Sequence, residues 1–218
     1  MDLLLLFGTA LLLGLAHAFE ADHMAAVSAF AVGRPGPLAA LLFGVRWAAG
    51  HGAVLVVVGT GLVALGLPFP EAAAHWLERV VGVALVGLGV WTVLSARTLH
   101  AHLHTHADGT AHVHLHSHLF GRGHDHGHGA TVMGALHGLA GTAPALALVP
   151  LARLDSALLA AGYLLLFAVG TAVAMALYAM LAGLIAGRAA ARSAAVGRAL
   201  AYATGAANIA VGVLWLLR

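Results

Sequence analysis

Apolar residues run through this chain in long blocks, and the interruptions between the blocks mark out its elements. Six segments read as apolar helices: roughly 3–31, 37–67, 77–98, 130–152, 157–187 and 197–217. A helix needs about 20 residues to cross the hydrocarbon of a bilayer, and each segment reaches that length. The second and fifth are long enough to tilt or break. Arg34-Pro35-Gly36-Pro37 separates the first two, and Pro68-Phe69-Pro70 closes the second. The stretch 71–79, with Glu71, His75, Glu78 and Arg79, is expected to form a short interfacial helix ahead of the third segment. The pattern predicts an all-α polytopic membrane protein with six transmembrane helices.

Between the third and fourth segments the pattern changes. Residues 99–129 hold eleven of the sixteen histidines: His100, His102, His104, His106, His112, His114, His116, His118, His124, His126 and His128. Most recur at every second residue. That alternation suits a β-hairpin turning at Ala107-Asp108-Gly109-Thr110, and it equally suits a chain that stays disordered without metal. So much imidazole in one tract points to transition-metal binding, with a spacer or a proton-sensing segment as the other readings. The chain thus divides into 1–98, the histidine-rich loop 99–129, and 130–218.

The two flanking parts resemble one another. Gly14-Leu15-Ala16-His17 aligns with Gly134-Ala135-Leu136-His137 at an offset of 120 residues. The same offset lays Gly50-His51-Gly52-Ala53-Val54 over Gly170-Thr171-Ala172-Val173-Ala174. With a small shift, Gly89-Val90-Trp91 matches Gly212-Val213-Leu214-Trp215. Two three-helix repeats must run in opposite senses through a membrane, because three is odd. Secondary transporters use this inverted plan and bind substrate at the midplane between the halves.

Composition sharpens the class. Charged residues are 8% of the chain and hydrophobic residues 61%, against about 25% charged in a soluble domain. There is no cysteine, which excludes disulfide, thiolate-ligand and thiol-relay chemistry. All ten basic residues are arginine, and a formal charge of +2 gives no reason to expect nucleic acid as a partner. Arg34, Arg97, Arg122, Arg188, Arg192 and Arg198 follow the odd-numbered segments; Arg79, Arg153 and Arg218 lie on the opposite side. The excess of arginine on cytoplasmic connections then places both termini outside and the histidine loop in the cytoplasm.

The polar residues that break the first apolar run carry the chemistry. His17, Glu20, Asp22 and His23 fall near its middle, where an Asp costs about 2.5–3.5 kcal/mol. On one continuous helix, His17, Glu20 and His23 would share a face and Asp22 would point away from it. All four meet one ion only if the helix breaks or if Asp22 orients another ligand. Imidazole suits Ni, Co, Zn and Cu. A secretory signal peptide is the plain alternative, with Leu3–Leu15 as its apolar core and Ala16-His17-Ala18 as a cleavage site. Met1-Asp2 brings no positive charge, however, and the apolar run resumes as far as Val32. His51 and His137 are further intramembrane ligand candidates. Asn208, Thr142 and Thr171 read as helix-bonding groups or, second, as groups that support the metal ligands, and Arg46 as a group that reaches the interface or balances Glu20 or Asp22. Trp47, Trp76, Trp91 and Trp215 read as packing or interfacial anchors.

His17, Asp22 and His23 together match H-x4-D-H, and this stretch resembles the signature of the nickel/cobalt transporter family, including its shorter urease-accessory-type members. The resemblance covers the hydrophobic core and is most specific over residues 14–27. It implies that His17, Asp22 and His23 bind metal. The family's second acidic signature has no counterpart; Gly134-Ala135-Leu136-His137-Gly138-Leu139-Ala140-Gly141-Thr142 stands in its place, as in the urease-accessory-type branch. The expectation is a multi-pass permease of the bacterial inner membrane. It would carry Ni²⁺ or Co²⁺ by alternating access, with Zn²⁺ or Cu²⁺ compatible with the same ligands and a cytoplasmic metallochaperone as a candidate partner. Export through the same site is the first alternative. An intramembrane zinc enzyme with Glu20 as general base is the second, but the chain lacks H-E-x-x-H and the repeat favours transport over catalysis.

Overall fold

A computed structural model describes residues 2–32, 36–67, 71–97, 100–105, 111–116, 127–140 and 156–217. Among these residues there are seven helices: α1 (Leu3–His17), α2 (Ala21–Val32), α3 (Pro37–Leu65), α4 (Glu71–Arg97), α5 (Gly127–Leu139), α6 (Ala157–Arg192) and α7 (Ala194–Leu216). Local sequence accounts for several ends. Asp2 caps α1 by accepting from the Leu4 N–H at 2.9 Å. Pro37 opens α3, and Gly66, at φ 63°, closes it in the left-handed conformation that glycine adopts without penalty. Extended Ser193 alone separates α6 from α7, and its hydroxyl accepts from the Val196 N–H at 3.1 Å.

Helices α3, α4, α6 and α7 are each long and apolar enough to cross a bilayer, so the chain is a multi-pass membrane protein. Their outward faces carry large apolar side chains such as Leu42, Val57, Leu165, Leu177 and Leu214. The first predicted segment is not one helix. It breaks between His17 and Ala21, and α1 and α2 meet at 55°. Residues 71–79 likewise differ from expectation: they are the first turns of α4 rather than a separate interfacial helix. The fourth segment is described only as far as residue 140, so the rest of 130–152, with Thr142 and Arg153, lies outside the described residues. Arg34, Arg122, Arg218 and the Pro68-Phe69-Pro70 breaker lie outside them too.

In the loop, β1 (His100–Thr105) and β2 (Ala111–His116) pair antiparallel. The register sets His100 opposite His116, His102 opposite His114 and His104 opposite His112. The intervening turn and His106, His118, His124 and His126 are outside the described residues.

Helix α3 packs on α5 and α6, α1 on α6, α4 on α7, and α2 against α6 and α7. Missing side chains let these backbones meet. A β-carbon at Gly14 would strike the carbonyl of Phe167, and one at Gly134 the carbonyl of Trp47. A β-carbon at Gly170 would strike the carbonyl of Leu11, and one at Gly50 that of Thr131. In both comparisons the glycines and their targets are offset by 120, so α1 lies on α6 as α5 lies on α3. In α4 and α7, Gly82 faces the Gly212 carbonyl and Gly89 the Gly205 carbonyl, at 2.9 and 2.6 Å from the added carbon.

Two apolar clusters form the core. One holds Phe43, Trp47, Leu85, Met175 and Trp215. The other holds Leu6, Leu55, Tyr163, Leu164 and Phe167. Gly14→Ala and Gly134→Ala should each destabilise the protein by about 1–3 kcal/mol, because backbone cannot yield as a side-chain tip can. Gly8→Ala and Gly87→Ala, where nothing lies within 4 Å of the added carbon, should not. Thermal unfolding in detergent measures the contrast.

Candidate metal centre

The break in the first segment creates the site. At the end of α1 the chain tightens: the Phe19 N–H donates to Ala16 O and the Glu20 N–H to His17 O, both at 3.0 Å. The Ala18 N–H bond to Gly14 O stretches to 3.3 Å. Gly14 O is shared, because the Thr171 hydroxyl of α6 lies 3.0 Å from it, dividing its one proton between Gly14 O and Phe167 O of its own helix, also at 3.0 Å. A side chain reaching into the helical ladder is a recognised cause of a kink. Proline is absent from residues 14–27, and no glycine occurs between His17 and Ala21. The bend is therefore tertiary in origin. It places His17 on the last turn of α1 and Asp22 and His23 on the first turn of α2, all buried.

His51 of α3 and His137 of α5 complete the group, and both are buried. The His17 ring centroid lies 4.5 Å from that of His23 and 5.2 Å from that of His51. The His23 ring is 5.1 Å from His51 and 5.4 Å from His137. His17 Nε2 and His51 Nε2 are 3.3 Å apart. Two nitrogens bound tetrahedrally to one ion at about 2.0–2.1 Å would be separated by roughly that distance. His17, His23 and His51 each offer a ring nitrogen, and these lie within 4.8 Å of one another. A second group, Glu20, Asp22 and His23, meets the same limit and shares His23 with the first.

The carboxylates act on the imidazoles. His23 Nδ1 donates to Asp22 Oδ1 at 2.9 Å, and the His23 backbone N–H donates to the same oxygen at 2.9 Å. His23 Nε2 is then the free acceptor, and it is buried without a partner among the described residues. His137 repeats the arrangement with a backbone carbonyl: its Nδ1 donates to Met133 O at 3.2 Å, leaving Nε2 buried and unpartnered. His51 Nδ1 is unpartnered as well. Glu20 Oε1 lies 3.0 Å from His17 Nδ1, within ion-pair distance but without hydrogen-bond alignment, since that nitrogen has no bonded partner. Side-chain exposure separates the pair: 34% for Glu20 against 4% for His17. Glu20 therefore stands at the open edge of the cluster.

Buried nitrogens left unsatisfied in an apolar bundle are costly unless something binds them. Neutral imidazoles with carboxylate or carbonyl partners on their other nitrogens are what divalent Ni, Co or Zn accepts. Aromatic rings close the sides: Phe167 lies 5.3 Å from His17, and Trp47 lies 4.8 Å from His137. Trp47 is the core packing expected of it and also lies against His137; Trp47 and Phe167 are 120 apart, as the repeat would align them. Arg46 is exposed and forms no ion pair with Glu20 or Asp22 among the described residues. The carboxylates' neighbours are imidazoles instead. The side chains of His100, His102, His104, His112, His114, His116 and His128 are not described, so the structure says nothing of metal there.

Comparison with known proteins adds one relative. The chain is 29% identical over 178 residues to the urease accessory protein UreH of Bacillus sp. (strain TB-90), covering 80% of this chain and 74% of that protein. No protein-family model matches the chain, and no solved structure matches it.

If Asp22 orients His23, Asp22→Asn should weaken divalent-metal affinity by about 10–100-fold without unfolding the protein. His51→Ala should cost more affinity than His137→Ala. Titration of the purified variants with Co²⁺, followed by its visible absorption, tests both. Unchanged affinity in Asp22→Asn would separate the carboxylate from the metal.

Proposed function

We propose that this chain is a membrane permease for a divalent transition metal, Ni²⁺ or Co²⁺, of the nickel/cobalt transporter type and its urease-accessory-type branch. The observation that carries this reading is the convergence of His17, His23 and His51, buried, within 4.8 Å and with free ring nitrogens, at the break of an apolar helical run. The likeness to a urease accessory protein supports it, as does the H-x4-D-H pattern at His17, Asp22 and His23.

The ion sheds water on meeting Glu20 at the edge of the cluster and passes to the imidazoles. Asp22 keeps the His23 Nδ1 proton in place, and His137 supplies a further nitrogen from the opposite part of the chain. Broken helices whose ends face a site midway through the membrane are the usual construction of such carriers. The fold is six spans in two inverted three-helix repeats, with α1–α2 as the first span and α5 opening the fourth. The glycine contacts matched at an offset of 120 support that symmetry. Rocking of one half against the other opens the site to each side in turn. Protons compete with metal for the same nitrogens, so flux falls as the medium is acidified.

Residues 99–129 form a cytoplasmic metal-collecting loop, in which the facing histidines of β1 and β2 gather ions near the inner mouth. The membrane is the bacterial inner membrane.

Purified protein in proteoliposomes should carry Ni²⁺ or Co²⁺ down a gradient, and His17→Ala or His51→Ala should abolish the flux. Wild-type flux in both variants would overturn the reading. Deleting residues 100–128 should leave the maximal rate within about twofold and raise the metal concentration needed to reach it. Assays across a range of Ni²⁺, Co²⁺ and Zn²⁺ concentrations give both quantities. Cells lacking the protein report direction: metal-limited growth means import, and metal sensitivity means export.

A further inference from the structure

His17 and His23 do not share one helix, so nothing in helical geometry fixes their separation. His17 ends α1, which is held on α6 by the close approach of Gly14 to Phe167 and by the Thr171 hydroxyl. His51 rides on α3. His23 rides on α2, which is seated on α6 and α7 rather than on the helices that bear its two companions. Its position therefore depends on what holds α2 down. Hydrogen bonds reach α2 from both neighbours. Ser28 Oγ and Tyr178 OH of α6 are 2.6 Å apart. Nearer the site, Asn208 Nδ2 of α7 donates to Ala25 O at 2.7 Å, two residues beyond His23.

Asn208 is completely buried in an otherwise apolar helix. One amide hydrogen goes to Thr204 O of its own helix at 3.0 Å, which holds the rotamer; the other crosses to α2. Its Oδ1 has no partner among the described residues. An amide tolerated among lipid-spanning helices with one end unsatisfied suggests that the crossing bond matters for more than packing. We infer that Asn208 is a positioning residue for the metal centre: by gripping the Ala25 carbonyl it sets where α2 presents His23 to His17 and His51. This rests on the reading of those three histidines as a metal site.

The test uses full-length protein in detergent titrated with Co²⁺, reading affinity and the cobalt visible spectrum. Asn208→Leu removes both donors while keeping the branching and the number of heavy atoms. Asn208→Gln retains an amide. Thr92→Val is the control, because among the described residues that buried hydroxyl bonds only Leu88 O within α4, at 2.8 Å. Asn208→Leu should weaken Co²⁺ affinity about tenfold and shift the spectrum, Asn208→Gln should recover part of the loss, and Thr92→Val should change neither. In a His23→Ala background, Asn208→Leu should bring no further loss, because the residue acts through α2 and its histidine. Wild-type affinity in Asn208→Leu, or an undiminished loss in the His23→Ala background, would overturn the positioning role while leaving the metal site standing. If the unsubstituted protein binds no Co²⁺, the metal site falls, and the role of Asn208 with it. Should Asn208→Leu fail to assemble, Asn208→Ser, whose hydroxyl is too short to reach Ala25, takes its place with the same outcomes.

Discussion

Ionisable groups enclosed among apolar helices have to satisfy one another. Here carboxylates and a backbone carbonyl are set against imidazole nitrogens. Asp22 accepts from the Nδ1–H of His23, Met133 O from that of His137, and Glu20 stands beside Nδ1 of His17. An Asp alone at this depth costs about 2.5–3.5 kcal/mol, so it persists only where a partner offsets the loss of water. The pairing decides which side of each ring remains available. With Nδ1 occupied on His23 and His137, Nε2 is the atom left to face the cluster, and no local partner quenches it. Its own hydrogen bonds thus turn the unpaired nitrogens of these two rings toward the cluster.

Bringing those rings together requires backbones closer than ordinary side chains permit. Gly14, Gly50, Gly134 and Gly170 lie where a β-carbon would collide with a neighbouring main chain. In lipid, where apolar surface alone gives helices little reason to associate, close backbone contact supplies the dispersion energy that does. The same closeness lets the Thr171 hydroxyl reach Gly14 O and disturb α1 one turn before His17. Packing and site are thus one construction: the glycines that join α1 to α6 also bring in the hydroxyl at the bend.

The apolar runs were legible in the sequence because lipid imposes a long, nearly uninterrupted pattern; helices α3, α4, α6 and α7 cover four of the six predicted segments. The candidate ligands were legible for the same reason in reverse, since His17, Asp22, His23, His51 and His137 are conspicuous where polarity is expensive. The bend at residues 18–20 was legible only as a condition. Ala18, Phe19 and Glu20 carry no helix breaker, and the hydroxyl that reaches the ladder lies more than 150 positions away, so no local window contains the cause. The continuity of α4 through residues 71–79 escaped for a related reason. The charges of Glu78 and Arg79 look interfacial in sequence, yet Glu78 is buried and sits 3.9 Å from His75 one turn before it. Asn208 looked like a helix-bonding group, and it is one; only the fold reveals that its partner is the helix carrying His23.

The two parts of the chain are unequal where likeness would predict equality. His51 and Thr171 occupy corresponding positions, each between or beside glycines that meet a neighbouring helix. In the first part that position supplies an imidazole to the cluster. In the second it supplies a hydroxyl that draws on Gly14 O. A histidine at both places would leave Gly14 O without its second donor. A threonine at both would leave the bend intact but remove an imidazole from the cluster. The division lets one half carry most of the nitrogens while the other shapes the helix that presents them. It also makes the His17–His23–His51 group asymmetric about any axis relating the halves, with His137 as the nitrogen contributed from the far side.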